Sequence, residues 1–246
     1  MQIRLTFDSD APILLPIHYN EYVQALIYRH LDEELARFLH DHGFTYGKRR
    51  FKLFTFSRIF GKYRLRRGEG LIAFTPPVRL YVGFSKEELA RSFIRNVAGR
   101  KVVLEGNSLT VAEAMILNHR IGEYAVLKTL SPITVYRTLK EKGRRYTRYL
   151  SPKDSDFLSL IRANLLKKYE LVYGEPYDGD FNLRILKGGR EVIIKYKGTI
   201  IKAYDATLSL RGSSELLSVA LGCGLGAKNS QGFGMVIPKS VRKISP

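Results

Sequence analysis

The chain has 246 residues, with 41 lysines and arginines against 23 aspartates and glutamates, a formal charge of +18. A hydrophobic fraction of 45% excludes wholesale disorder, and the lone cysteine, Cys223, excludes a disulfide framework or a multi-cysteine metal site. No apolar run is long enough for a membrane helix, residues 1–9 do not read as a secretory signal, and the expectation is a cytoplasmic protein that meets a polyanion, nucleic acid before membrane.

Residues 1–7 alternate apolar and polar and predict a strand. Residues 11–18, with Pro12 and Pro16, read as a loop. Tyr19, Tyr22, Val23, Leu26, Ile27 and Leu31 then fall at helical spacing. Asp32, followed by Glu33 and Glu34, reads as a fresh N-cap, and a second short helix through Leu35, Phe38 and Leu39 stops near Gly43. Strands are expected at 51–60, 71–74 and 78–84, a helix at 86–98, and strand-like stretches at 101–105 and 109–117. The pattern then begins again. Residues 124–137 are strand-like, interrupted at Ser131-Pro132, and 154–173 begin as a helix with Phe157, Leu160, Ile161, Leu165 and Leu166 on one side. Strands at 181–186, 192–196 and 200–210, a short helix at 214–221, a glycine-rich loop and a last strand at 235–237 complete the chain. Each half reads β, α, β-β, α, β, the split βαβ pattern. The expected class is α+β: two tandem ferredoxin-like (βαββαβ) domains, 1–125 and 126–246, packed together because no flexible linker divides them.

The charge is concentrated. Lys48, Arg49, Arg50, Lys52, Arg58, Lys62, Arg64, Arg66 and Arg67 follow one another without an acid, interleaved with Phe51, Phe54, Phe56, Phe60 and Tyr63. A second cluster over 137–148 contains Arg144, Arg145 and Arg148, with Tyr146 and Tyr149 at its edge. Taken singly, the aromatics read as strand core. Taken as clusters, like charges at this density repel without a counter-charge, so both are expected to hold RNA phosphates, with aromatic faces for bases. The loop over 222–234 carries Gly224, Gly226, Gly232 and Gly234 around Lys228, Asn229 and Ser230. Glycine permits positive φ and lets backbone amides approach a phosphate. The loop is neither a P-loop, having no Gly-Lys-Ser/Thr, nor a dinucleotide fingerprint, since it follows a helix and precedes a strand.

A basic chain of two such halves ending in Gly-Leu-Gly-x₅-Gly-Phe-Gly resembles the CRISPR-associated RNA-binding proteins called RAMPs. Leu26-Ile-Tyr28, Phe38-Leu-His40, Lys52-Leu-Phe-Thr-Phe-Ser57, Leu130-Ser-Pro-Ile133 and the run from Gly226 to Val236 make it similar to one branch, the Cas six endoribonucleases that cut CRISPR precursor RNA within each repeat. The resemblance implies a cutting set of Tyr28, His40 and Lys52, no metal and no cofactor. RNA supplies its own nucleophile, the 2′-hydroxyl, so cutting needs a base, an acid and a cation for the phosphorane charge. Tyr28 lies off the apolar stripe of Val23, Ile27 and Leu31. His40 falls at a helix C-terminus, where the dipole favours imidazolium. His42 is equally polar, and only the family's Leu-His-acid pattern favours His40. Lys52 is one basic residue among many, singled out by the family match alone. In one unbroken helix Tyr28 and His40 would stand about 18 Å apart, so a bend is expected at 32–34.

The partners implied are the CRISPR repeat RNA, as precursor and as processed guide, and a CRISPR effector complex, for a monomer or homodimer with no membrane attachment. The rival is a non-cutting RAMP subunit of such a complex, followed by a general RNA-binding module of ribosomal type.

Overall fold

The structure is a computed structural model describing residues 1–141 and 143–239. In the first half, β1 (Gln2–Asp8) lies between β7 (Leu71–Phe84) and β9 (Asn107–Leu117), antiparallel to both. Around this centre run β2 (Ile13–Pro16), β5 (Phe54–Phe56) and β6 (Phe60–Arg66), all paired with β7, and β8 (Lys101–Leu104), paired with β9. Ile3, Leu5 and Phe7, the alternate residues of β1, are fully buried. They share one core with Val23, Leu26 and Ile27 of α1 (Asn20–Arg29), Leu39 of α2 (Glu33–Asp41), and Leu89 and Phe93 of α3 (Glu87–Val97). Burying each such side chain contributes roughly 1.5–3 kcal/mol, so this alternation orients the sheet.

The second half is built on a four-stranded sheet in the order β13-β14-β10-β15: β10 (Tyr124–Thr129), β13 (Asn182–Tyr196), β14 (Thr199–Arg211) and β15 (Val236–Pro238). Its helices are α4 (Asp156–Tyr173) and α5 (Ser214–Cys223). Both halves therefore carry the ferredoxin-like order, with the first strand between the third and the fourth.

Several expected boundaries differ. Residues 11–18 hold β2, whose Pro16 closes the strand at the sheet edge. Residues 51–60 are not one strand. They divide among β4 (Arg49–Phe51), which forms a hairpin with β3 (Phe44–Tyr46), then β5 and the start of β6, with a break at Leu53, where φ is +52. Residues 71–84 form a single strand. Pro76 and Pro77 fall between Thr75, which pairs with Lys62, and Val78, which pairs with Phe7, so their missing N–H groups interrupt no ladder bond. The 124–137 stretch ends as a strand at Thr129, and the second basic cluster becomes a separate hairpin of β11 (Tyr136–Glu141) and β12 (Arg144–Tyr149). Residues 182–196 are one strand with register shifts after Ile185 and Gly188.

The halves meet closely. A Cβ on Gly83 would lie 2.8 Å from Leu221 O, and one on Gly222 would lie 2.6 Å from Phe84 O. Gln2 Nε2 spans the seam to Leu221 O at 2.9 Å and Val236 O at 2.7 Å. Among the described residues no helix is long and apolar enough to cross a membrane.

Candidate active site

The site begins on α1. Val23, Leu26 and Ile27 face the sheet, which leaves Asn20, Gln24 and Tyr28, each one turn from the next, along another side. That side rests on the glycine-rich loop of the other half. Asn20 Nδ2 donates to Gln231 O at 2.8 Å and Gln24 Nε2 to Ser230 O at 2.6 Å. Tyr28 follows, half-buried, its ring edge-on to Phe54 at 5.8 Å. Burial, and then the neighbouring Tyr196, push its hydroxyl pKa up to about 12, so it is a neutral O–H at physiological pH.

The chain bends at 30–32, slightly ahead of the expected 32–34. Asp32 stands at the N-cap position of α2 but its carboxylate makes no cap bond. Instead it accepts from Arg95 at 2.6 Å and Asn96 at 2.9 Å, while its amide donates to Ser92 Oγ. The bend is thus pinned to α3, and the Asn96 and Arg95 bonds hold the Asp32 pKa below its ordinary value. His40 lies in the last turn of α2, exposed, with Nδ1 2.7 Å from Asp41 Oδ1. A carboxylate only accepts, so Nδ1 carries the proton and Nε2 is left for a ligand. His42, after the helix end, does not line the cleft described below. Gly43 then closes α2 with φ +66. A Cβ there would lie 2.7 Å from Phe51 O and 3.3 Å from Lys52 Nζ, so glycine lets Lys52 fold back to donate to His40 O at 3.1 Å. Burial, and then Arg50, lower the Lys52 pKa.

Tyr28, His40 and Lys52 line one cleft of about 450 Å³, with Glu21, Gln24, Tyr196, Lys197, Ser230 and Gln231. Lys52, Ser230 and Gln231 also border a second cleft of about 560 Å³ between the halves, where Arg49, Arg50, Tyr136 and Lys228 stand. Lys228 Nζ lies 5.4 Å from the Tyr136 ring centre. The two clefts therefore adjoin along the glycine-rich loop. Among the described residues no group of three or more His, Cys, Asp or Glu has metal-ligand spacing.

The loop itself corrects an expectation. Gly224, Gly226, Gly232 and Gly234 all have positive φ, but what approaches them is protein. A Cβ on Gly234 would lie 1.9 Å from Leu225 O, one on Gly232 2.5 Å from Asn20 Nδ2, one on Gly224 2.7 Å from Gly234 O, and one on Gly226 2.7 Å from Thr134 O. Asn229 is buried, and its Nδ2 donates to Leu225 O and Phe233 O. Beneath it lies a residue that the sequence did not single out, Lys168 of α4, 2% exposed. Its ammonium donates to Gly224 O at 2.8 Å, Gly226 O at 3.0 Å and Asn229 Oδ1 at 2.6 Å, which uses all three donors. Burial lowers its pKa to about 8. A signal was present: Lys168 continues the stripe of Phe157, Ile161 and Leu165. Of the loop, Gly226, Ala227, Lys228, Asn229, Ser230 and Gln231 line the cleft between the halves, and Ser230 and Gln231 also line the smaller one.

The basic clusters divide as well. Arg58 is turned into the seam and pairs with Asp205 at 2.9 Å, a counter-charge from the protein where an RNA contact was expected. Arg66 pairs with Glu69 at 3.5 Å and Arg148 with Asp154 at 3.1 Å. Phe54 and Phe56 are core, while Tyr63 and Tyr146 are exposed. Lys48, Arg64, Arg67, Arg144 and Arg145 are exposed and lie outside both clefts.

The pattern of CRISPR-associated protein Cas6, N-terminal, matches residues 14–114, and that of CRISPR associated protein Cas6, C-terminal, matches residues 116–237. The chain belongs to the Cas6 family. It is 29% identical to the CRISPR-associated endoribonuclease Cas6 1 of Methanocaldococcus jannaschii, over 96% of this chain and 92% of that one. It is 28% identical to the CRISPR-associated endoribonuclease Cas6 of Pyrococcus furiosus, over 93% and 85%. A solved structure of a CRISPR associated protein Cas6 superposes with a TM-score of 0.79 at 29% identity, covering 98% of this chain and 99% of that one. The Cas6 family thus accounts for both ferredoxin-like halves.

Proposed function

We propose that this Cas6-family protein is an endoribonuclease that binds CRISPR repeat RNA and cuts the precursor within each repeat, without a metal ion. The observation that supports it most is the meeting of Tyr28, His40 and Lys52, from three separate stretches of chain, in one open cleft. In this reading the 2′-oxygen attacks the adjacent phosphorus and the bond to the 5′-oxygen breaks. Tyr28, in the small fraction present as tyrosinate, takes the 2′-hydroxyl proton, Lys52 offsets the phosphorane charge, and protonated His40 gives its Nε2 proton to the departing 5′-oxygen. Asp41 orients the imidazole, a positioning role. The products are a 2′,3′-cyclic phosphate and a 5′-hydroxyl. Incubating the protein with repeat RNA in EDTA and identifying both new ends tests this. A 3′-hydroxyl end, or cutting that requires a divalent ion, contradicts it.

A second reading, a non-cutting RAMP-type subunit of a CRISPR effector complex, has its own support. The Cas6nc endoribonuclease-like protein of Pyrococcus horikoshii is also 29% identical, over 96% of this chain. Tight binding of the same RNA with no cutting would favour that reading.

A further inference from the structure

The cleft has a wall from the second half. Tyr196 ends β13, Lys197 and Gly198 form the turn to β14, and Tyr196 and Lys197 line the cleft beside Tyr28, His40 and Lys52. The Tyr196 ring is buried with Ile194, Ile201, Ala203 and Phe233. Its hydroxyl donates to Gln24 Oε1, and the same amide donates from Nε2 to Ser230 O at 2.6 Å. Only one orientation of the amide serves both partners, so Gln24 latches the β13–β14 turn and the glycine-rich loop onto α1, one turn before Tyr28.

Tyr196 pairs with Thr199, so Lys197 and Gly198 are a two-residue hairpin turn with φ +45 and +79. Asn, Asp or Gly is preferred at the first of these positions. Lys197 takes the left-handed conformation there, as Glu105 does in the β8–β9 turn, so the turn fixes where the ammonium stands without by itself marking a site. Lys197 is exposed, its Nζ lies 6.0 Å from the Tyr196 ring centre, and none of the ion pairs among the described residues uses it. The acid in the cleft is Glu21, on α1. At about 450 Å³ the cleft encloses more than a lone phosphate, and Lys52 already serves the scissile one.

We propose that Lys197 is a substrate-positioning residue: it binds the RNA phosphate adjacent to the scissile one, held in place by the Tyr196–Gln24 latch. The inference rests on the cutting reading above. Its test uses repeat RNA with a 2′-deoxynucleotide at the cutting position, which binds without being cut. Affinity is measured against salt for the wild type, Lys197→Met, Lys197→Arg, Tyr196→Phe and Lys101→Met, the last a charge removed from β8 outside both clefts. Losing one phosphate contact should lower the slope of log affinity against log salt by about 0.7. That loss is expected for Lys197→Met, with roughly tenfold weaker binding at low salt and the lost slope recovered in Lys197→Arg. Tyr196→Phe keeps the ring and the charge. It should leave the slope unchanged and raise the half-saturating RNA concentration several-fold in single-turnover cutting of all-ribose RNA. A Lys197→Met slope equal to wild type, or an equal loss in Lys101→Met, overturns the proposal. If the wild type does not cut the all-ribose RNA while Lys197→Met still lowers the slope, the cutting reading fails and the phosphate contact stands.

Discussion

The cleft of Tyr28, His40 and Lys52 and the glycine-rich loop are neighbours that share Ser230 and Gln231, yet they are built in opposite ways. In the loop, glycines sit against backbone carbonyls, Asn229 is bonded at both ends, and Lys168 spends every donor inside. In the cleft, His40 Nε2 is left free by the bond at Nδ1, and Lys52 donates once, to His40 O at 3.1 Å, with two donors to spare. Saturated polar groups hold a shape, and unsaturated ones can bind. The more conspicuous motif in the sequence is thus the scaffold, and the plainer residues supported by it are the ones with donors and acceptors to spare, the set we propose as reactive.

This contrast can be broken from either side. Gly234→Val should have the largest effect, because its Cβ would lie 1.9 Å from a backbone oxygen in a loop with no room to shift. A loss of roughly 4 kcal/mol or more is expected in chemical unfolding. Lys168→Met removes one side chain but strands three buried acceptors, and about 2–4 kcal/mol should be lost in the same measurement. A near-neutral result for either would show the loop to be looser than its bonds imply.

Tyr28→Phe should leave stability within about 1 kcal/mol, since the ring keeps its packing on Phe54. Its signature is the pH dependence of cutting. With a tyrosine base whose pKa is about 12, the tyrosinate fraction rises about tenfold per pH unit. The ratio of the wild-type rate to the Tyr28→Phe rate should therefore rise about tenfold per pH unit, because titration of the other cleft groups is common to both proteins. Identical profiles would remove Tyr28 from the proton transfer. Arg58→Met should have the smallest effect, about 1 kcal/mol or less from a partly exposed pair with Asp205, and no change in the salt dependence of RNA binding.

The architecture was legible because β1, α1, α3 and α4 bury one face each, and burial imposes a period on the sequence. β11 and β12 were not, because that hairpin is mostly exposed and has no apolar alternation to read. β2 was hidden by Pro12 just before it and Pro16 at its end. Tyr28 was visible as a residue off the apolar stripe, but nothing local in the sequence shows that Asn20 and Gln24 beside it are seated on the other half. Tyr196 and Lys197 owe their places to contacts between distant segments, which no local period reports, whereas Lys168 continues the buried stripe of α4 and only its partners were hidden. His40 and His42 could not be separated by composition. They are separated by where α2 ends, since the helix places His40 on the cleft and leaves His42 beyond it.

The most direct test of the division between scaffold and chemistry is single-turnover cutting of repeat RNA by His40→Ala, with RNA affinity and unfolding measured on the same variant and His42→Ala alongside. The exposed imidazole packs no core, so affinity and stability should stay near wild type while the rate falls about 10²–10⁴-fold, the range for losing a general acid or base. His42→Ala should cut normally. Cutting at the wild-type rate by His40→Ala would contradict the account.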